Sequence, residues 1–259
     1  MAPHFNQEST PITVRLSSST GLPQLPDTDP NGQPRGIAIR FVLGEHKHTD
    51  VIAHSTPHFP TRTAEEFLEL LRAIGASPPG TPSPSPVESF LGSHPAALAF
   101  VQAPKPLRPS FADETFYGLN AHFLINSKGE RTPIRYRVLP LEEPKQLSED
   151  EIKGKNANYL LDEIKSRVTR DGVYFKLVVQ VGEDSDATDD VTDHWPESRN
   201  IVELGILKLT DLEPADAELQ KKIIFDPIAR VDGIEASNDP LLDIRAAVYL
   251  ISGRERRAD

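Results

Sequence analysis

The sequence predicts an α+β fold built on an antiparallel sheet or barrel, with helices grouped around it. Three observations carry that prediction. Strand-like segments follow one another through residues 116–126, 132–139, 173–181 and 201–210. Helical periods lie at 64–74, at 148–170 and after Pro240. A Lys128-Gly129 turn joins two alternating segments as a hairpin, the connection that antiparallel pairs use.

The elements follow in chain order. Residues 23–36 (PQLPDTDPNGQPRG) are dense in turn formers and read as a compact loop. Ile37 to Phe41 is rich in β-formers and reads as a strand. In 64–74 (AEEFLELLRAI), Phe67, Leu70, Leu71 and Ile74 share one helical face. Thr63 and Glu66 have the spacing of a capping box, and Gly75 marks the stop. Residues 76–86 (ASPPGTPSPSP) form an exposed proline-rich loop, and 87–101 a second helical region broken near Pro95. In 148–170 the apolar residues Tyr159, Leu160, Ile164 and Val168 fall near one face. Residues 173–181 (VYFKLVVQV) are the clearest strand, and 223–225 reads as a short one. The last helix runs from Pro240 to about Ser252.

Composition narrows the chemistry. The chain has 259 residues, 37% hydrophobic and 26% charged, in the range of a globular protein. Its net charge of −11 argues against a nucleic-acid backbone binder. No apolar run is long enough to span a membrane, and no signal peptide is visible, so the expected compartment is the cytoplasm. Cysteine is absent, which removes disulfides, thiolate catalysis and cysteine-ligated metals. Met1 is the only methionine, so the chain lacks the side chains that oxidants attack first, a composition that also arises by chance. Walker A, G-x-S-x-G and H-E-x-x-H motifs are absent. His46 and His48 sit on a predicted turn, and the acidic run 183–190 (EDSDATDD) lacks the glycine and closing glutamate of a calcium loop. Both read as solvated surface.

The sharpest constellation is on the last helix. Arg245 and Tyr249 lie one turn apart and share a face. A guanidinium there stabilises a phenolate, which is an anionic ligand for ferric haem. Arg254 and Arg256 follow and could hold propionates. The same arginine–tyrosine spacing is common on helices that bind nothing.

The residues around this pair carry a resemblance. Phe225-Asp226-Pro227, Gly233-Ile234-Glu235, Ser237, Asp239-Pro240, Arg245, Tyr249 and Arg256 are similar to the C-terminal haem-ligand region of catalases. Thr13-Val14-Arg15 with Ser17 resembles that family's V-R-F-S strand. Pro34-Arg35-Gly36 with Phe41, His194-Trp195-Pro196-Glu197 and Glu203-Leu204-Gly205 resemble further landmarks, in order along the chain. HTDVIAHST and FLGSHPAALAFVQAPKP look most like the compact catalase-related peroxidases.

The resemblance implies one catalase-like domain over 1–259, with a catalase-type β-barrel, surrounding helices and a C-terminal haem-ligand helix. It implies haem b, with hydrogen peroxide or an organic hydroperoxide as substrate. Tyr249 would be the iron ligand and Arg245 its charge partner. Arg15 and Arg256 would bind propionates, and Phe67 would stand near the haem on the distal side. His54 falls where long catalases place a distal asparagine, and could donate a hydrogen bond to peroxide or accept its proton.

One departure stands out. The family carries its distal histidine in a V-H-A-x-G stretch before the V-R-F-S strand. Here only MAPHFNQESTPIT precedes Val14, no H-A-x-G occurs, and His4 does not match. The chain is expected to be short at its N-terminus relative to the family. Alternatives therefore stay open: a haem protein without catalysis, or an enzyme that rearranges lipid hydroperoxides. A homodimer also stays open.

Overall fold

The computed structural model describes residues 2–18 and 24–258. The framework is one antiparallel sheet of nine strands: β1 (Ile12–Ser18), β2 (Arg35–Gly44), β3 (Lys47–His54), β4 (Phe116–Tyr117), β5 (His122–Ile125), β6 (Arg131–Pro140), β7 (Val173–Val181), β8 (Ile201–Leu209) and β9 (Ile234–Ala236). Strands β4 and β5 share one edge of β6: β4 pairs with Arg137 and Val138, β5 with Arg131 to Ile134. The opposite edge of β6 pairs with β7, which pairs with β8. Among the described residues β1 and β8 are not paired with each other, so hydrogen bonds do not close the expected barrel.

Side chains of β2, β3, β6 and β7 nevertheless converge on one core, with Ile39, Phe116, Ile134, Val138 and Phe175 fully buried. Partly buried Val14 and Leu16 of β1 and Leu204 and Leu209 of β8 pack on the same core. Helix α5 (Tyr159–Asp171) fills it further through Tyr159, Leu160, Ile164 and Val168, the face its period predicted.

Several elements match the sequence reading. Helix α1 (Ala64–Gly75) begins with the Thr63–Glu66 capping box. Pro95 separates α2 (Pro86–Ser93) from α3 (Pro95–Gln102). Others differ. The expected strand 116–126 is two strands, because the chain breaks at Gly118, where an added Cβ would lie 3.2 Å from the Tyr136 side chain. The expected helix 148–170 is α4 (Glu149–Lys153) and α5, separated near Gly154. The loop 23–36 gives up Arg35 and Gly36 to β2, and Pro23 lies outside the described residues.

Residues 223–225 are not a strand. They follow α6 (Asp216–Lys222), and side chains take the carbonyls a ladder would use. Arg256 donates to the Ile223 carbonyl at 2.8 Å, and Arg40 donates to that of Ile224. The last helix, α7 (Pro240–Ala258), runs past Ser252, and Arg256 bonds back to the Ser252 hydroxyl at 2.8 Å. Gly253 lets α7 lie against Ile224, whose Cδ1 would clash with an added Cβ. Among the described residues, no helix is long and apolar enough to cross a membrane.

Candidate functional site

Helix α7 presents Arg245, Tyr249, Ser252 and Arg256 at spacings of four and three residues, so they line one face. Its start is fixed by Asp239, whose carboxylate accepts the Leu241 N–H at 2.9 Å, with Pro240 behind it in the first turn. The Tyr249 Oη accepts two bonds from Arg245, from Nη2 at 3.0 Å and Nε at 3.3 Å. Arg245 Nη1 donates to Asn120 Oδ1, and Asn120 Nδ2 donates to Asp239 at 2.9 Å. A continuous chain of hydrogen bonds thus runs from the phenol to the helix cap. Burial raises the Asp239 pKa, and the bonds from Leu241 and Asn120 oppose it.

The predicted propionate arginines lie beside this phenol. Burial, then Arg256, lowers the Arg15 pKa, while Tyr249 pulls it up, so all three groups share one electrostatic neighbourhood. Arg15 stacks its guanidinium 5.0 Å above the Phe225 ring. Arg256 spends three donors on the Gln220 and Ile223 carbonyls and on Ser252. Two of its five N–H groups remain for an anion.

His54 ends β3, paired with Gly36 on one side and Tyr117 on the other. Its Nε2 is buried and has no hydrogen-bond partner among the described residues. Burial, with a smaller push from Arg245, lowers its pKa to about 3, so the ring stays neutral. It lines a small cavity with Phe59, Tyr117, Asn120, Val191 and Arg245. Phe59 stacks on His54 at 6.1 Å, and Phe67 stacks on Phe59 at 5.9 Å. Phe67 therefore reaches the cavity only through Phe59.

The structure thus brings Arg245, Tyr249, Arg15 and Arg256 together, and sets His54 across the cavity from Arg245. The sequence reading assigned no part to Asn120, Phe59 or the Asp239 carboxylate. Asp239 carried a signal, an aspartate directly before a helix-opening proline. Asn120 lay inside a segment read as continuous strand, and its partner is 119 residues away, so no local pattern marks it.

The acidic run is a surface loop, as expected, with Glu183, Asp184 and Asp189 exposed, and it is also pinned. Arg199 holds Asp186 at 2.8 Å and Glu183 at 2.8 Å, and Trp195 Nε1 donates to the Ala187 carbonyl at 2.8 Å. Arg135 lies over the Trp195 ring and donates to the Asp190 and Asp193 carbonyls. Val191, next after the run, lies in the cavity wall.

A family model described as catalase matches residues 1–258. The chain belongs to the catalase family. It is 32% identical over 259 residues to a catalase-related peroxidase of Synechococcus elongatus, covering 98% of this chain and 76% of that protein. It is 31% identical to a catalase-related peroxidase of Mycolicibacterium paratuberculosis, covering 98% and 80%. Its fold matches a fungal catalase crystal structure with a TM-score of 0.82 at 22% identity, covering 98% of this chain and 54% of that one. The catalase fold is therefore established, with the sheet left open between β1 and β8.

Catalase kinship implies haem, and the residues present can be tested against it. The donors fit: a phenol oxygen already bonded twice by a guanidinium, and two further arginines beside it for carboxylates. Exposed apolar side chains also fit, Phe67 and Leu71 on α1 and Val248 and Ile251 on α7. The enclosed space is far smaller than the roughly 300–1,000 Å³ of usual cofactor pockets, with room for about one water-sized molecule. Helices α1 and α7, which carry these side chains, lie in contact.

Proposed function

We propose that this chain is a haem-dependent oxidoreductase of the peroxidase and catalase type, acting on hydrogen peroxide or an organic hydroperoxide. The observation that carries the reading is the pair of N–H bonds from Arg245 to the Tyr249 Oη. Haem b bound there would supply the iron chemistry that splits a peroxide O–O bond.

The chain's own residues do the rest. Arg245 stabilises negative charge on the Tyr249 oxygen, which makes it a good ligand for ferric iron. Asn120 and Asp239 fix the plane of that guanidinium, so its two N–H groups stay aimed at Oη. Arg15 and Arg256 offer positive charge for the propionates. Phe59 and Phe67 keep water from the His54 side. His54 is held neutral with a bare Nε2, and a ring with a pKa of about 3 is a weak base. Its role is to orient peroxide by hydrogen bonding, not to take its proton.

That weakness favours a second reading, a haem protein with little catalysis. Reconstitution of the full chain with haemin, followed by peroxide consumption, separates the two. The enzyme reading expects turnover above that of free haemin at equal concentration. A tyrosinate-type haem spectrum with no gain over free haemin would replace it with the second reading.

A further inference from the structure

Away from the Tyr249 site, one buried carboxyl stands apart from the cation beside it. Glu114 lies between the turn Phe111–Asp113 and β4, and its backbone N–H closes that turn on the Phe111 carbonyl at 3.2 Å. Its side chain is buried, and Oε1 is enclosed with no partner among the described residues. Its Oε2 stands 4.0 Å from Arg108 Nε, too far for a hydrogen bond. Arg108 Nε is likewise enclosed and unpartnered among the described residues. An acceptor and a charged donor are thus set close together without bonding.

The groups around Glu114 decide which of them can move. Burial pushes the Glu114 pKa up to about 7; Arg108 and Arg35 oppose the rise, and Asp113 adds to it. Both forms of the carboxyl are therefore populated at neutral pH. Arg35 also has an unpartnered Nε, but its side chain is fully buried and fixed. It donates to the Asp27 carbonyl at 2.7 Å and lies 3.6 Å from the Asp27 carboxylate, which accepts the Leu160 N–H at 3.0 Å. Asp113 is engaged by the Lys145 N–H at 3.2 Å. Tyr159 donates its hydroxyl to the Arg108 carbonyl at 2.7 Å, and burial holds its pKa at about 12, so it stays a neutral phenol. The Arg108 side chain is the least confined of these, 20% exposed and held through Nη1 on the Lys145 carbonyl at 3.0 Å. It is the group able to follow a charge on Glu114.

We propose that Glu114 and Arg108 form a proton-controlled latch ahead of β4. With a proton on Glu114 the latch is open, at the 4.0 Å separation seen here. When the proton leaves, the carboxylate closes on Arg108 Nε in a charge-assisted hydrogen bond. The latch stands two residues before Phe116, which is fully buried, and the next residue, Tyr117, pairs with His54 and lines its cavity. It needs no haem, and its failure would leave the Tyr249 assignment untouched.

Nuclear magnetic resonance of the full, haem-free chain tests it, with glutamate carboxyls and arginine side chains isotope-labelled. One glutamate carboxyl, identified by its loss in Glu114→Gln, is expected to titrate with a midpoint near 7. The Arg108 Nε–H signal is expected to move with the same midpoint as the bond forms, and to stop moving in Glu114→Gln. Arg108→Gln removes the closing cation and is expected to raise the Glu114 midpoint by about one pH unit. If no glutamate of the parent titrates in the range of about pH 6–8, the proposal is overturned without recourse to a variant. An Arg108 Nε–H signal that ignores the Glu114 titration, or a midpoint that Arg108→Gln leaves in place, overturns the latch.

Discussion

The two sides of the cavity treat their polar atoms in opposite ways. On the α7 side hydrogen bonds form one sequence from Tyr249 through Arg245 and Asn120 to Asp239. On the β3 side His54 is stacked on Phe59 and keeps Nε2 bare in a buried position. A partnered network holds one geometry and stores charge where it is wanted. A bare buried nitrogen costs stability and is tolerated where something else supplies the bond. Under the proposed function, the contrast separates a side that would hold a ligand's charge from a side that would meet a neutral molecule.

The largest effect expected from breaking this contrast is at Tyr249. Tyr249→Phe removes the oxygen that Arg245 surrounds and leaves the guanidinium bonded to Asn120 alone. Ferric haem titrated into this variant is expected to lose the tyrosinate-type spectrum completely, whereas Phe67→Leu, on the other side, is expected to keep it. An unchanged spectrum in Tyr249→Phe would refute the ligand assignment.

A smaller effect, confined to acid, is expected at His54. Its pKa is about 3 in the fold against an ordinary 6.5, so between these values the unfolded chain binds the proton and the native chain does not. Stability at His54 is therefore intact above pH 6.5 and falls as pH drops through that window, by up to about 1.4 kcal/mol per pH unit. His54→Asn removes the titration. Denaturant melts from pH 7 to pH 4 are expected to show the variant losing less stability than the parent. Parallel slopes would mean that His54 is already charged, and that the two sides are less different than drawn. His4, lowered to about 4 by burial, is common to both chains and cancels.

How much of this was legible in the sequence follows the range of the interactions. The Thr63–Glu66 cap, the α5 core face and the Arg245–Tyr249 pair depend on spacings of three and four residues, which a sequence displays. The buried face of α1 was only half legible. Leu70 is buried against Phe90 and Ala97, while Leu71 and Ile74 are about half exposed, because a helical period names a face and not what covers it. The short strand expected at 223–225 failed because Arg40 and Arg256, distant in sequence, take its carbonyls. Asn120 was missed for the same reason. The His54 position came from the family resemblance, but its depressed pKa depends on burial and on Arg245, and no motif encodes either.

The smallest effect expected is at the clasp that joins the two sides. Arg62, just before α1, bonds Asp189 at 3.0 Å and approaches Asp190 at 3.5 Å, across the loop that carries Val191 into the cavity wall. Arg62 and Asp189 are about half exposed, so the pair contributes less than about 1 kcal/mol and is weakened by salt. Arg199, Trp195 and Arg135 hold the loop from its other end. Arg62→Ala is therefore expected to leave the melting temperature within a few degrees of the parent, while loosening the loop where it meets α1. Amide exchange near Val191 is expected to rise in the variant at low salt and to differ little from the parent in high salt, where the parent's clasp is already screened. If exchange there does not change at any salt, the loop is fixed by its inner arginines alone, and the His54 side is as rigidly built as the Tyr249 side.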